Sequence, residues 1–229
     1  MRELWTSDLG TVEYRAAVEL QERLRARVIA GELPDLLLLL EHPSVYTLGR
    51  RSEPGDLPFG EDFWRARGID VVQTQRGGKL TYHGPGQLVG YPIMHASDVI
   101  AFLRTMERAI VAALAGEGIA ARGRDHEGPA YTGVWVEDRK IASIGVHLSK
   151  GVTAHGFAVN VDNDVAPFHE VTACGLPGVQ MTSIALETGR DGGLDCFRKR
   201  MPYAYAQAHG LRQRLVSPAR LETPVPSLA

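Results

Sequence analysis

The sequence has 229 residues, and 25 basic residues nearly balance 27 acidic ones, so the formal net charge is −2. A chain of this length buries roughly 70–75% of its unfolded surface around one core, and its near-neutral charge excludes a whole-molecule field that would recruit nucleic acid or an anionic membrane. Two cysteines and eight histidines, none at metal-ligand spacing, exclude a disulfide framework and predict no metal site.

The first residues, MRELWTSDLG, lack the basic segment and apolar run of a secretory signal. The longest aliphatic run, Leu36 to Leu40, is too short to span a bilayer and fits a buried strand. We therefore expect a soluble, cytoplasmic protein without a membrane partner or a nucleic-acid partner.

The first long element is predicted to be an amphipathic helix between Thr11 and Ala30, with Gly31 as its stop. A second helix is predicted to begin near Ser97-Asp98, where the aspartate can cap it, and to end before Gly116. The β-type runs between and after these helices are Asp35 to Glu41, Val45 to Leu48, Asp70 to Thr74, Leu88 to Met94, Gly133 to Val136, Lys140 to Leu148 and Val152 to Val159.

The short link Glu137-Asp138-Arg139 predicts a hairpin between the run that ends at Val136 and the run that begins at Lys140. Helices interspersed with hairpins predict an α+β fold, a mixed β-sheet flanked by helices, and not a doubly wound parallel sheet. We expect one domain over residues 1–216. From Ser217 onward, three prolines and little periodicity predict a mobile tail over residues 217–229.

The most unusual stretch is the glycine-rich segment, Arg76 to Gln87, with the sequence RGGKLTYHGPGQ. Four glycines and a proline in twelve residues let a backbone approach a ligand closely, and Arg76, Tyr82 and His83 add polar groups suited to a pocket mouth. The spacing matches neither a dinucleotide-binding fingerprint nor a phosphate-binding P-loop. The segment is therefore a candidate binding loop, with a long hairpin connection as the alternative.

Three motifs in order carry a family resemblance: RGGKLTYHGPGQLVGYPI from Arg76, KIASIGVHLSKGVTAHGFAVNV from Lys140, and ACGLPG from Ala173. They closely resemble the lipoyl/octanoyl transferases, relatives of the biotin and lipoate protein ligases. The resemblance implies an acyl pocket near a mixed sheet and a single catalytic acyltransferase domain without a cofactor. The sequence departs from the family pattern at Ala173, where proline is expected, and at Leu176, where isoleucine is expected.

The resemblance further implies octanoyl-acyl carrier protein as donor and a cysteine thioester as intermediate. The implied acceptors are lysines in the lipoyl domains of 2-oxoacid dehydrogenase complexes and in the glycine cleavage H protein. It assigns Cys174 as the nucleophile and Lys140 as the residue that activates it. The residues that it assigns to acyl binding are Arg76, Gly77, Gly78, Lys79, Leu80, Thr81, Tyr82, His83, Ser143, Ile144, Gly145, Gly156, Phe157 and Ala158.

This chemistry needs a thiolate, and at a free pKa near 8.5 only about 3% of a thiol is ionised at neutral pH. A lysine ammonium about 4 Å away, at an effective dielectric near 20, would supply up to about 4 kcal/mol before desolvation. On composition alone Lys79 and Lys150 rival Lys140, and only the motif selects Lys140. Cys196, on a predicted helix, is interpreted as structural.

Three alternatives stay open at this point. An ATP-dependent lipoate or biotin protein ligase would make an acyl-adenylate and would need no cysteine. A non-catalytic acyl-binding module would keep the pocket without needing Cys174 and Lys140. A thioesterase would use Cys174 with His83 or His147 and pass the acyl group to water. Arg50, Arg51 and Arg139 are predicted to contact an acidic carrier protein, or else to be ordinary solvated charges.

Overall fold

A computed structural model describes residues 2–176 and 178–223, except for the side chain of Cys174. The helices are α1 Tyr14–Ile29, α2 Glu61–Ala66, α3 Val99–Ala115, α4 Ala166–His169, α5 Ile184–Thr188, α6 Leu194–Ala208 and α7 Pro218–Glu222. The strands are β1 Glu3–Thr11, β2 Asp35–Glu41, β3 Val45–Leu48, β4 Asp70–Gln73, β5 Thr81–His83, β6 Gln87–Ile93, β7 Arg122–Gly123, β8 Gly133–Val136, β9 Arg139–Ser149, β10 Val152–Asn160, β11 Gln180–Met181 and β12 Arg212–Leu215.

Most of these strands form one large mixed sheet in the order β12-β1-β2-β6-β10-β9-β8-β7, and β11 pairs with β9. β1 pairs in parallel with both β2 and β12, whereas β6, β10, β9 and β8 pair antiparallel in succession. A smaller sheet, β4-β3-β5, carries part of the glycine-rich segment. The predicted mixed sheet flanked by helices is confirmed.

The aliphatic run in β2 is buried on both faces of the large sheet. Leu37 and Leu39 pack in the core with α3 and α6, while Leu36, Leu38 and Leu40 pack in the core with α1. Because successive side chains of a strand point to opposite faces, a continuous run of leucines fits a strand that is covered on both sides. The helices therefore lie on both faces of the sheet.

The predicted helices and hairpin are present with small shifts of their ends. Asp98 caps α3 by accepting from the backbone N–H groups of Ile100 and Ala101. β8 and β9 pair antiparallel across the link at Glu137 and Asp138, as the sequence predicts. The strand β1 was not predicted, because its polar-rich sequence ELWTSDLGT owes its conformation to pairing with β2 and β12.

Part of the predicted tail is folded onto α1. Leu221 of α7 is buried with the core on that side, and the Arg27 guanidinium donates to the backbone oxygens of Leu221 and Thr223. Residues 224–229 of the predicted tail lie outside the described residues. No helix in the described part of the chain combines the length and the apolar character needed to cross a bilayer.

Candidate active site

A cavity of about 320 Å³ lies between the glycine-rich segment and the strands β9 and β10. Residues of α1, β6, α3 and the connection before β8 complete its walls. Among the residues predicted for the site, those that line it are Arg76, Gly77, Gly78, Lys79, Leu80, Thr81, His83, Lys140, Ser143, Ile144, Gly145, Gly156, Phe157 and Ala158. Segments from distant parts of the sequence thus meet at one cavity.

Tyr82 is the exception among the predicted acyl-binding residues. It lies between Thr81 and His83 on β5, and alternate residues of a strand face opposite sides. Its hydroxyl hydrogen-bonds the Ser44 hydroxyl at 3.0 Å, and its ring packs against Phe168. Tyr82 therefore supports the strand from behind and does not line the cavity.

The glycine-rich segment lies directly against β9. The backbone N–H of Gly77 donates to the Val146 carbonyl at 2.9 Å, and a Cβ on Gly145 would stand 2.7 Å from the Gly77 oxygen. The buried Arg76 guanidinium donates to the Thr47 hydroxyl through Nε at 3.1 Å and through Nη2 at 2.8 Å. Arg76 thus ties the segment to β3.

His83 lies at the cavity as a neutral ring. Its Nδ1 is 2.7 Å from the side-chain oxygen of Gln87, whose NH₂ group donates to Asn160 Oδ1 at 2.9 Å. The amide oxygen must therefore accept, so Nδ1 carries the proton and Nε2 keeps a lone pair. Burial lowers the pKa of His83 well below its ordinary value, and the nearby His42 ring and the charge of Arg76 add to this effect. In this state His83 cannot donate a hydrogen bond from Nε2.

His155 adds an imidazole that sequence reasoning missed. Its backbone lies in the left-handed region with φ of 58° inside β10, and its N–H donates to Gln21 Oε1 at 2.7 Å. Its Nδ1 is buried without a hydrogen-bond partner in the described part of the chain. Desolvation lowers the pKa of His155 to about 3, so the ring is neutral at physiological pH. Tyr14, Tyr91 and His155 complete the wall beside His83.

Lys140, which the family resemblance assigns as the activating residue, is buried. Only 2% of the residue is exposed, and its Nζ lies 5.3 Å from the centroid of the Trp135 ring. No carboxylate of the described residues lies within 4 Å of this ammonium. A buried cation without a paired carboxylate is uncommon, because desolvation penalises it. This environment distinguishes Lys140 from an ordinary surface lysine.

The rival lysines have different surroundings. Lys79 Nζ pairs with Glu53 at 3.2 Å and with Asp56 at 3.6 Å, so its charge is already compensated. Lys150 is exposed in the turn between β9 and β10. Of the three candidate lysines, Lys140 alone combines burial with the absence of an ion pair in the described part of the chain.

The backbone of Cys174 lies in the short 3₁₀ turn Ala173–Gly175, and its side chain lies outside the described residues. The stem of Lys79 packs on this turn, because a Cβ on Gly175 would stand 2.5 Å from Lys79 Cδ. Downstream of the turn, β11 pairs in parallel with β9 and places Met181 opposite Lys140. The turn thus packs against the glycine-rich segment, and the strand that follows it, β11, pairs with the strand that carries Lys140. Cys196 is exposed on α6.

The chain matches the family described as the lipoyl protein ligase A/B catalytic domain over residues 13–206. The chain belongs to this family. It is 47% identical to an octanoyltransferase of Solibacter usitatus (strain Ellin6076) over 197 residues, covering 83% of this chain and 88% of the relative. An octanoyltransferase of Rubrobacter xylanophilus is 46% identical over 186 residues, covering 80% of this chain and 82% of the relative. These similarities confirm the predicted family and the predicted enzyme class, an acyltransferase.

Solved structures at much lower identity have the same fold. A lipoate-protein ligase A bound with ATP superposes with a TM-score of 0.75 at 18% identity, covering 97% of this chain and 91% of that structure. A biotin protein ligase from Aquifex aeolicus superposes with a TM-score of 0.52 at 13% identity, covering 91% of this chain and 69% of that structure. The predicted relationship to the biotin and lipoate ligase fold is therefore confirmed.

Proposed function

We propose that the protein transfers an octanoyl group from acyl carrier protein to a lysine of lipoyl domains, through a thioester on Cys174. The observation that carries the proposal is the buried Lys140 ammonium, which lines the cavity without a carboxylate partner among the described residues. A thiolate is the counter-charge that such a cation stabilises, and stabilising it lowers the pKa of a thiol. The similarity to octanoyltransferases selects the acyl group.

The first half of the reaction exchanges one thioester for another. The Cys174 thiol gives its proton to solvent, and the Lys140 ammonium stabilises the thiolate that results. This thiolate attacks the carbonyl carbon of the donor thioester. The bond between that carbon and the donor sulfur breaks, and the donor leaves as a thiol once it regains a proton. The acyl group is then held on the enzyme as a thioester.

The second half moves the acyl group to nitrogen. The neutral amine of the acceptor lysine attacks the enzyme thioester, the carbon–sulfur bond breaks, and an amide forms. The nitrogen gives its proton to solvent, and the Cys174 thiolate is regenerated. Because the donor thioester is already activated, the scheme needs neither ATP nor a metal ion.

The cavity suits an aliphatic chain. Its volume of about 320 Å³ lies at the lower end of the range typical of small-ligand sites, about 300–1,000 Å³. Ile144 and Phe157 provide apolar wall, and Gly145 of β9 and Gly156 of β10 line the cavity without side chains. A mostly apolar cavity of this volume favours a medium-length acyl group.

The donor is proposed to approach over Arg50 and Arg51. Arg51 lines the cavity, and the backbone N–H groups of both residues donate to the glycine-rich segment, Arg50 to the Arg76 oxygen at 3.0 Å and Arg51 to the Gly78 oxygen at 3.1 Å. Arg139, the third predicted contact, is instead paired with Glu187 at 3.0 Å and with Glu137 at 2.9 Å. The exposed guanidiniums of Arg50 and Arg51 are thus better placed to meet an acidic carrier.

Omission of the nucleotide tests this function against a ligase. Transfer from octanoyl carrier protein to a lipoyl domain should proceed with a chelator present and without ATP. Free octanoate should not serve as donor even when ATP and magnesium are supplied. An absolute requirement for ATP and magnesium with free octanoate would instead identify a ligase, and release of octanoate without acceptor modification would identify a thioesterase.

A further inference from the structure

Helix α3 carries a buried carboxylate on its apolar face. Glu107 is 4% exposed, and its neighbours on the same face, Met106 and Ile110, belong to the main hydrophobic core. A glutamate in such a position costs free energy unless its charge is paired and its oxygens are hydrogen-bonded. The reaction scheme above assigns it no role.

Both oxygens of the Glu107 carboxylate have partners. Oε2 pairs with Arg104 Nη1 at 2.5 Å, one helical turn away. Oε1 accepts a buried hydrogen bond of 2.9 Å from the backbone N–H of Gly133, the first residue of β8. The carboxylate therefore joins α3 to the start of the strand that pairs with β9.

Gly133 packs against the end of the Lys140 side chain. A Cβ on Gly133 would stand 2.7 Å from Lys140 Cε and 3.3 Å from Nζ, and the glycine has φ of 136°. Only glycine fits this place, because a Cβ would stand 2.5 Å from the Ala142 carbonyl oxygen as well as against the lysine, and a side chain is also strained at that φ. Gly133 lies opposite Ser143 in the sheet, and Ser143 lines the cavity. The contact with Gly133 therefore holds the end of the Lys140 side chain beside the cavity wall.

We propose that Glu107 is a positioning residue for Lys140, acting through the hydrogen bond to Gly133. The carboxylate holds Gly133 against one side of the lysine head, and the Trp135 ring bounds it at 5.3 Å from Nζ. Glu107 forms no ion pair with Lys140 among the described residues, so its effect passes through the backbone of Gly133. The proposal rests on the proposed function, in which Lys140 activates Cys174.

A matched pair of variants isolates this hydrogen bond. Glu107→Gln alone is ambiguous, because Gly133 and Arg104 donate to different oxygens of the carboxylate and the glutamine NH₂ group would face one of these two donors. In an Arg104→Met background that conflict is removed. Arg104→Met/Glu107→Gln and Arg104→Met/Glu107→Leu then have the same charge and similar side-chain volume, and they differ in whether Gly133 has an acceptor.

Single-turnover acylation by octanoyl carrier protein and the pH dependence of Cys174 alkylation are measured for both double variants and for Arg104→Met. We expect acylation of the leucine variant to be about 10- to 100-fold slower than that of the glutamine variant, as displacement of a catalytic group by about 1 Å can cost. Its alkylation profile should move toward that of a free cysteine, while the glutamine variant follows Arg104→Met. Equal rates and equal profiles for the two folded variants would overturn the proposal.

A cycle with Lys140→Met separates positioning from a general loss of stability. If Glu107 acts through Lys140, then adding Glu107→Leu to Lys140→Met should leave the alkylation profile where Lys140→Met alone puts it. A further shift would contradict the proposal. If the leucine variant does not fold, Arg104→Met/Glu107→Ala, which also lacks an acceptor for Gly133, takes its place in the comparison with the glutamine variant: a slower acylation and a shifted profile support the proposal, and equal rates and profiles contradict it. Absence of a Cys174 adduct in the wild type would refute the proposed function itself.

Discussion

Gly145 and Gly77 are in backbone contact across the cavity wall, since a Cβ on Gly145 would stand 2.7 Å from the Gly77 carbonyl oxygen. Gly145→Ala should push the glycine-rich segment away from β9 and slow acylation by about 10-fold or more. Gly55→Ala is the matched control, because its added methyl group would meet nothing within 4 Å. Acylation rates of the two folded variants provide the measurement, and equal rates would show that this contact is irrelevant to the site.

Replacement of Lys140 tests how the thiol is activated. Lys140→Met keeps much of the stem but removes the charge, so Cys174 should titrate closer to a free cysteine and lose more acylation at neutral pH than in alkali. Lys140→Arg keeps the charge but cannot readily give up a proton. If the role is electrostatic, arginine restores a low thiol pKa and part of the rate; if proton transfer dominates, it restores the pKa alone.

The pH dependence of Cys174 alkylation, measured for the wild type and both variants, separates these two roles. An unchanged profile for Lys140→Met would remove Lys140 from the mechanism. Lys79→Met is a useful comparison, since Lys79 lines the same cavity but is paired with Glu53 and Asp56.

The buried histidines predict that stability falls on mild acidification. Desolvation lowers the pKa of His42 to about 4 and that of His155 to about 3, against 6.5 for the unfolded chain. At a pH between the folded-state and the unfolded-state pKa of each histidine, the unfolded state binds more protons than the folded state. The free energy of unfolding therefore falls as the pH falls through this range. From pH 7 to pH 5 each of the two histidines should cost about 2 kcal/mol.

Urea unfolding at pH 7, 6 and 5 measures this dependence. His42→Gln should flatten the slope, although it lowers stability at pH 7 because His42 bonds the Val12 carbonyl and the Tyr91 hydroxyl. His126, whose side chain is 68% exposed, offers the control His126→Gln, which should keep the wild-type slope. A stability that does not change between pH 7 and pH 5 would contradict the neutral state of the buried rings.

Charge reversal at the cavity mouth tests the direction from which the donor arrives. Arg51→Glu should raise KM for octanoyl carrier protein by about 10-fold or more at low salt, and less at high salt, because exposed charges are screened. A small octanoyl thioester without the carrier should be affected much less. Arg190→Glu, an exposed residue away from the cavity, is the control. An equal effect of both substitutions would remove Arg51 from donor recognition.

Local patterns in the sequence predicted the two long helices α1 and α3, the hairpin and the strand β2, because each depends on the residues within one segment. The left-handed backbone of His155 could not be predicted, since it depends on Gln21 from α1 and on packing around the cavity. Glu107 did leave a signal, a charge on the apolar stripe of α3. Its partner Gly133 lies 26 positions away, and only the folded chain brings them together.

The family motif selected Lys140 over Lys79 and Lys150. The amino-acid composition around the three lysines did not distinguish them. The structure supplies a physical difference, because Lys140 is buried without a carboxylate and Lys79 is ion-paired. Tyr82 shows the opposite case: the motif includes it, but the alternation of β5 turns it away from the cavity. A motif therefore identifies the segment, and the strand geometry decides which of its residues reach the site.

The central claim, a covalent octanoyl group on Cys174, is tested most directly by intact-mass measurement after mixing the protein with octanoyl carrier protein. The wild type and Cys196→Ala should each gain one octanoyl group, which a lipoyl domain then removes as it becomes acylated itself. Cys174→Ser should gain no thiol-dependent adduct. Loss of the adduct in Cys196→Ala together with its persistence in Cys174→Ser would contradict the account.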